Sequence, residues 1–323
     1  MKIDYKFTDA PNGGFGQLGR GIQRELLKAG HELVDENPDV YIRYGVPDIM
    51  QDVPDDHTIP LVYYTVWESS LYPLDWAQAI KNKKVNLVLT ATEFTKNSLS
   101  KCGIDAKVWH HGVDPFWQYR KRPDDGIFTF IHWNAYEWRK GWEIVLKAFL
   151  EEFRIDEPVR LVMKARERGE SVWIVENPEE GIKHPLIKEV IGHISNEELV
   201  DLIYTADCGV FPVKGEGWFM PSMEFAASGG AVILPKQMGL TEQWIEGGYI
   251  DVELEGWINA EPRYPGYMML VSVDDLRKKM RWAFQNQDRV RMMGRIASKG
   301  VHTRFNWSKI IKDLEGYLNL LLN

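Results

Sequence analysis

Short apolar runs alternate with amphipathic helical segments along most of this chain, and turns rich in glycine or proline separate them. Runs typical of buried strands lie at residues 2–7, 39–44, 61–66, 86–91, 107–109, 128–132, 159–164, 189–194, 208–213 and 231–235. After the first run, Leu18, Ile22 and Leu26 recur at helical spacing, which predicts a helix that Gly30 ends. Strands that alternate with helices in this way predict an α/β protein with parallel sheets.

The most informative stretch follows the run at 208–213 and reads Gly-Glu-Gly-Trp-Phe-Met-Pro-Ser-Met-Glu from residue 215 to residue 224. Strand, turn, helix and strand form a βαβ unit whose turn lies at the carboxyl edge of a parallel sheet, where such sheets bind ligands. Glu216 lies in the turn, and Glu224 lies about one turn into a helix that Pro221 can start. Free helix N–H groups suit a diphosphate, and a carboxylate suits paired sugar hydroxyls.

Composition limits the possible partners and compartments. The chain has 323 residues, 44% apolar and 27% charged, which fits two globular domains of ordinary size. A net charge of −8 argues against a nucleic-acid partner. The two cysteines lack metal spacing, the N-terminus lacks a signal pattern, and no apolar run has membrane length. We therefore expect a cytoplasmic protein without an integral membrane segment.

Residues 216–232, EGWFMPSMEFAASGGAV, resemble the E-x7-E motif of retaining GT-B glycosyltransferases, most closely glycosyltransferase family 4. The family's usual wording is close to EGFGLPxLEAMAxGxPV. The resemblance implies that Glu224 holds the ribose hydroxyls of a nucleotide. It also implies that the donor sugar is held by the first glutamate and the backbone after it, here Glu216, Gly217, Trp218, Phe219 and Met220. Phe219 stands where many members have glycine, which suggests a reshaped donor-sugar pocket.

Two stretches of the first half carry weaker resemblances. The turn after the first strand corresponds to the family's glycine-rich loop, which reaches toward the donor phosphates and the acceptor, and Gly13 and Gly14 are its candidates. The alternative is a simple tight turn. Glu68, in the sequence Trp-Glu-Ser-Ser, resembles a turn of part of family 4 and would face the cleft near the donor or acceptor sugar. As an isolated observation it is a surface glutamate.

The segment after the strand at 128–132 resembles the family's GR-x4-KG motif, whose arginine and lysine neutralise the donor diphosphate. Lys140 matches the lysine, whereas Asn134 takes the glycine's place and Ala135 the arginine's. Arg139 is a candidate to compensate for the missing arginine, and the alternative is a solvated arginine at a helix start.

Three further residues are candidates for contacts with the nucleotide. Lys164 ends its strand and is a candidate phosphate contact, with a solvated lysine as the alternative. His193 and Ile194 follow Gly192, where backbone of the family lies beside the nucleobase. The resemblance therefore implies a base contact for both.

No metal or other cofactor is expected. The chain contains no D-x-D tripeptide, and the adjacent His110 and His111 would point to opposite faces of a strand, with no carboxylate pair at ligand spacing nearby. Cationic side chains must then stabilise the charge that grows on the leaving nucleotide.

Together these observations predict an α/β protein with the GT-B fold, in which two Rossmann-like domains face across a cleft. We place an acceptor-side domain at 1–120, a nucleotide-sugar domain at 121–306, and a C-terminal helix at 307–323 that crosses back to the first domain. The implied function is a retaining hexosyltransferase with Glu216, Lys140, Arg139 and Glu68 as catalytic candidates. The acceptor could be a glycan, a lipid-linked sugar or a protein. The alternatives are a nucleotide-sugar 2-epimerase and a non-catalytic nucleotide-sugar-binding protein.

Overall fold

A computed structural model describes residues 1–9, 13–167, 181–262 and 264–322. Residues 10–12 of the predicted glycine-rich loop lie outside the described residues, as do 168–180 after the strand predicted at 159–164. Two parallel sheets and one antiparallel hairpin make up the strands of the described part.

The first sheet is formed by residues 2–108, with all neighbouring strands parallel. Its strands are β1 (Lys2–Phe7), β2 (Glu32–Leu33), β3 (Val40–Tyr44), β4 (Leu61–Thr65), β5 (Leu87–Thr90) and β6 (Ala106–Val108). Its helices are α1 (Gly14–Lys28), α2 (Leu74–Asn82) and α3 (Glu93–Lys101), with a 3-10 turn at Pro47–Met50. In the order β2-β1-β3-β4-β5-β6, β2 lies on one side of β1 and the later strands lie on the other. Parallel sheets bind ligands at such a reversal of strand order, which here is the crevice beside α1.

The second sheet repeats this plan within residues 128–251. Its strands are β7 (Phe128–Trp133), β8 (Val159–Ala165), β9 (Ile187–Ile191), β10 (Cys208–Val210), β11 (Ala231–Leu234) and β12 (Tyr249–Asp251). Its helices are α4 (Trp142–Glu152), α5 (Asn196–Tyr204), α6 (Met220–Ala227), α7 (Leu240–Gln243), α8 (Val273–Gln285) and α9 (Gln287–Arg304), with a 3-10 turn at Trp138–Lys140. The order β12-β11-β10-β7-β8-β9 reverses between β7 and β10, which places the expected crevice there.

Every residue of β7 is buried because helices cover both faces of the second sheet. Phe130 belongs to the core on the α4 side together with Phe149, whereas Ile131 belongs to the opposite core together with Phe225 of α6. Successive strand residues point to opposite faces, so a strand buried on both faces reads as an unbroken apolar run.

The last helix, α10 (Trp307–Leu322), packs back onto the first sheet. Its Ile310 and Leu314 are buried in the same core as Leu18 of α1, and the indole N–H of Trp109 donates to the Ile310 carbonyl at 2.7 Å. The predicted domain boundary at 120 falls in the segment 109–127, which the structure describes in full and which contains neither helix nor strand.

A hairpin that the sequence pattern did not predict joins the two halves. Its strands β13 (Leu254–Asn259) and β14 (Tyr267–Val271) pair antiparallel. The amide of Tyr267 donates to the Ser70 hydroxyl at 2.9 Å, and the Ser70 amide donates back to the Tyr267 carbonyl at 3.2 Å. The hairpin therefore belongs to the second half by sequence and contacts the first half in space.

Candidate active site

The carboxyl ends of β7 and β10 bring two loop segments together at the reversal of the second sheet. The chain after β7 forms the 3-10 turn Trp138–Lys140, and Gly141 ends it with a φ of +69°, a conformation that favours glycine. A Cβ on Gly141 would lie 2.1 Å from the Pro212 carbonyl oxygen, so only glycine permits this approach. The Lys214 amide then donates to the Arg139 carbonyl at 2.9 Å, which fixes one segment against the other.

Two cations converge on one carboxylate oxygen at this point. Arg139 Nη1 lies 2.7 Å and Lys140 Nζ lies 2.6 Å from Glu216 Oε1. Glu68, from the first half, places Oε1 3.6 Å from Arg139 Nη2. The structure thus brings together the four residues predicted as catalytic, and we call them the charge cluster.

Two glycines let the halves approach at the charge cluster. A Cβ on Gly215 would lie 2.3 Å from the Glu68 carbonyl oxygen, and one on Gly217 would lie 2.5 Å from the Trp67 carbonyl oxygen. Side chains at either position would push the Glu216 turn away from the first half. The Gly-Glu-Gly sequence therefore allows Glu216 to lie directly beneath the turn that carries Glu68.

Burial sets the electrostatics of the charge cluster. Burial raises the pKa of Glu68, although the Arg139 guanidinium opposes that rise. Burial and the adjacent Arg139 lower the pKa of Lys140, and Glu216 opposes the change. Burial disfavours the charge of Arg139, but Glu216 and Glu68 together raise its pKa above the ordinary value. Both cations are desolvated and held by carboxylates, as groups prepared to meet an anionic ligand would be.

Arg139 has further partners that sequence reasoning missed. Its Nε donates to the Tyr264 hydroxyl at 3.3 Å, and its Nη1 donates to the Gly215 carbonyl at 3.1 Å. The guanidinium is therefore buried rather than solvated. Tyr264 lies between β13 and β14, in a segment that carries none of the motifs of the resemblance.

Glu224 lies in α6 and faces α1 of the first half. Gln17 Nε2 donates to Glu224 Oε1 at 3.1 Å, and burial raises the pKa of Glu224 to about 7, with Asp114 adding to the rise. Gln17 belongs to the first turn of α1, which begins at Gly14. A Cβ on Gly14 would meet no described atom within 4 Å. Gln17 is a second site residue that sequence reasoning missed.

The side chains that follow Glu216 point into the core. Trp218 is buried and stacks on the His110 ring with centroids 5.6 Å apart. Phe219 is 1% exposed, and Lys140 Nζ lies 5.4 Å above its ring. Phe219 therefore lies beneath Lys140, and its amide donates to Gln243 Oε1 at 3.2 Å just before α6 begins at Met220.

The remaining candidates lie around the ends of β7, β8 and β9. Asn134 Oδ1 accepts from the exposed Ala135 amide, and the buried Asn134 Nδ2 has no hydrogen-bond partner among the described residues. Lys164 Nζ donates to the backbone carbonyls of Ala165 and Gly192, at 2.9 and 2.7 Å, so it joins β8 to the turn after β9. The strand predicted at 189–194 ends at Ile191, which leaves His193 exposed and Ile194 half-buried in that turn.

Neither a metal cluster nor a membrane span is found in the described part of the chain. There, no three His, Cys, Asp or Glu side chains group as a metal ion requires. No helix among those residues combines the length and apolar character needed to cross a membrane.

Two Rossmann-like sheets, a cleft that holds the charge cluster, and a terminal helix that returns to the first half define the GT-B fold. No family model matches the chain. Over 147 residues it is 28% identical to glycogen synthase of Mycobacterium tuberculosis, a match that covers 45% of this chain. The matched region spans 33% of the length of that relative.

Solved structures with the same fold match nearly the whole chain at low identity. HepE of Anabaena in complex with UDP and glucose has a TM-score of 0.68 at 15% identity, over 97% of this chain and 85% of HepE. Sucrose-phosphate synthase from Thermosynechococcus elongatus has a TM-score of 0.68 at 14% identity, over 98% of this chain and 82% of that one. TarM has a TM-score of 0.64 at 14% identity, over 96% of this chain and 59% of TarM. These likenesses show the fold.

Proposed function

We propose that the protein is a glycosyltransferase that moves a sugar from a nucleotide-sugar donor to an acceptor hydroxyl with retention of anomeric configuration. One observation carries this proposal. The buried Arg139 and the part-buried Lys140 share one oxygen of Glu216 at the reversal of the second sheet, and Glu224, eight residues further on in α6, contacts Gln17 of the first half. This arrangement suits a ligand in which a diphosphate joins a sugar to a ribose.

The site divides the donor among the residues that the structure brings together. Arg139 and Lys140 would hold the diphosphate, Glu216 the sugar hydroxyls, and Glu224 the ribose hydroxyls. The unpaired Asn134 Nδ2 offers one more donor to an anion near the end of β7. HepE has been crystallised in complex with UDP-glucose, so UDP-glucose is the first donor to test.

The chemical step would proceed at one face of the sugar. The bond from the anomeric carbon to the phosphate oxygen breaks, and the electron pair leaves with the nucleotide. The acceptor hydroxyl oxygen bonds to the anomeric carbon from the same face, and its proton passes to the departing phosphate oxygen. Arg139 and Lys140 would stabilise the charge that grows on that phosphate, an interaction stronger in the transition state than in the ground state.

The same two cations support a reaction that needs no metal. A metal ion in a transferase of this kind would neutralise the leaving diphosphate. Arg139 and Lys140, both paired with Glu216, would supply that neutralisation if the diphosphate binds beside them.

The test is incubation of the protein with UDP-glucose and a panel of acceptor sugars. We expect release of UDP that depends on acceptor, with an α-linked product by proton NMR, and loss of that release in Lys140→Ala. A β-linked product would refute retention. Recovery of an altered nucleotide sugar without acceptor would favour a 2-epimerase, and thermal stabilisation by UDP-glucose without turnover would favour a binding protein.

A further inference from the structure

The outer face of the β13–β14 hairpin carries exposed aromatic side chains. Trp257 is 68% and Tyr267 is 43% exposed, and their ring centroids lie 6.0 Å apart with planes tilted by 55°. Trp257 pairs with Met269, and Tyr267 pairs with Asn259, so the four side chains belong to one face of the hairpin. Single exposed aromatics are ordinary, but two in contact on one strand pair form a patch of the kind that binds ligands.

The opposite face fixes this hairpin to the charge cluster. Met268 is fully buried, and a Cβ on Gly215 would lie 2.9 Å from Met268 Cγ. The Met269 amide donates to the Lys214 carbonyl at 2.8 Å, two residues before Glu216. The aromatic face is therefore held by the same turn that carries Glu216.

The hairpin also reaches the first half beside Glu68. Tyr267 exchanges two hydrogen bonds with Ser70, which follows Glu68 by two residues, and two residues of chain span at most about 7 Å. The exposed Leu71 continues the patch on that side, where a Cβ on Gly266 would lie 3.0 Å from Leu71 Cγ. A chain molecule that lies on the patch thus reaches the cleft where the transfer is proposed.

We propose that this face binds an oligosaccharide acceptor, with pyranose rings stacked on Trp257 and Tyr267. This proposal rests on the proposed function. The C–H faces of a pyranose ring are apolar while its edges carry hydroxyls, and tryptophan and tyrosine each offer a flat apolar ring with a polar tip. The exposed Asn259 on the same face can hydrogen-bond to ring hydroxyls. The two strands contain Glu255 and neither lysine nor arginine, which disfavours an anionic membrane surface as the occupant.

Direct titration tests this assignment without requiring turnover. Maltoheptaose and cellohexaose are titrated separately by calorimetry into the wild type, Trp257→Leu, which keeps apolar bulk, and Trp257→Tyr, which keeps a ring. Leu320→Ala, an exposed position on α10, is the control. We expect one of the two sugars to bind the wild type, Trp257→Leu to weaken that binding about 3- to 10-fold, and Trp257→Tyr and the control to retain it.

Binding of neither sugar overturns the proposal, and so does binding that Trp257→Leu leaves unchanged. Adsorption to phosphatidylglycerol vesicles that needs Trp257, without sugar binding, overturns it in favour of a membrane contact. UDP binding is measured on the same samples. If the sugar binds through Trp257 while UDP does not bind, the proposed function is wrong, whereas oligosaccharide binding by the aromatic face is retained.

Discussion

Replacing Glu224 by glutamine should stabilise the folded chain at pH 8 and weaken its binding of nucleotide. The carboxyl is buried in the second half against Gln17 of the first half, and burial raises its pKa to about 7 from an ordinary 4.5. Glutamine has nearly the same shape, keeps an oxygen to accept the 3.1 Å bond from Gln17, and carries no charge. It therefore removes the cost of an ionised buried group without opening a cavity.

The sign of the effect follows from proton linkage. A carboxyl whose pKa is higher in the folded chain than in the unfolded chain binds more protons when folded. Its contribution to stability is complete below pH 4.5 and is lost as the pH rises to about 7. A rise from 4.5 to about 7 corresponds to about 3.5 kcal/mol at most, because one pKa unit is worth about 1.4 kcal/mol. At pH 8 we expect Glu224→Gln to be more stable than the wild type by about 1–3 kcal/mol, and at pH 4.5 the two should be nearly equal.

Urea unfolding at the two pH values measures the stability, and calorimetry with UDP at pH 8 measures binding. We expect Glu224→Gln to bind UDP about tenfold more weakly, because an amide offers one acceptor oxygen to the ribose in place of two. Glu242→Gln is the matched control. Glu242 also has a pKa raised by burial to about 7, and it accepts from the Glu93 amide at 3.0 Å. It should gain stability at pH 8 and keep the wild-type affinity for UDP.

Two results would refute this reasoning. If Glu224→Gln is no more stable than the wild type at pH 8, the carboxyl is not held in a desolvated state. If both glutamine variants lose UDP affinity equally, the loss reflects the contact between the halves and not the ribose role of Glu224.

Three further predictions concern the charge cluster and its support. Lys140→Ala and Arg139→Ala should each lower kcat about 10²- to 10³-fold in a UDP-release assay, and an unchanged kcat in Arg139→Ala would show that Arg139 does not compensate for Ala135. Turnover should persist in EDTA, whereas complete loss that Mn²⁺ or Mg²⁺ restores would contradict metal independence. Gly141→Ala should lose at least about 2 kcal/mol of stability in urea because of its positive φ and the Pro212 carbonyl, and wild-type stability would show that the loop shifts freely.

The fold could be predicted largely from local patterns. Runs such as 128–132 are apolar without interruption because both faces of the parallel sheets are buried, and Pro221 and Glu224 lie in α6 as the turn sequence indicated. The hairpin was missed because Gly256 and the turn residues around Pro262 interrupt its alternation, and because its contacts are distant in sequence. Sequence spacing carries no information on contacts such as that between Tyr267 and Ser70.

The charge cluster could be predicted only as a set of candidates. Lys140 and Glu216 came from motif resemblance, which gives roles but not distances. Their sharing of one oxygen depends on Gly141, whose positive φ brings the 3-10 turn against Pro212. Tyr264 and Gln17 carried no motif, since their partners Arg139 and Glu224 are more than a hundred residues away.

The hairpin also limits how this protein can be recombined with others of its fold. An exchange of complete halves at residues 109–127 would leave β14 facing a foreign turn in place of Ser70. The hydrogen bonds of Tyr267 and the close approach of Gly266 to Leu71 would then be lost, although each half kept its own sheet. A chimera should inherit its acceptor preference intact only when residues 67–71 travel together with 254–271.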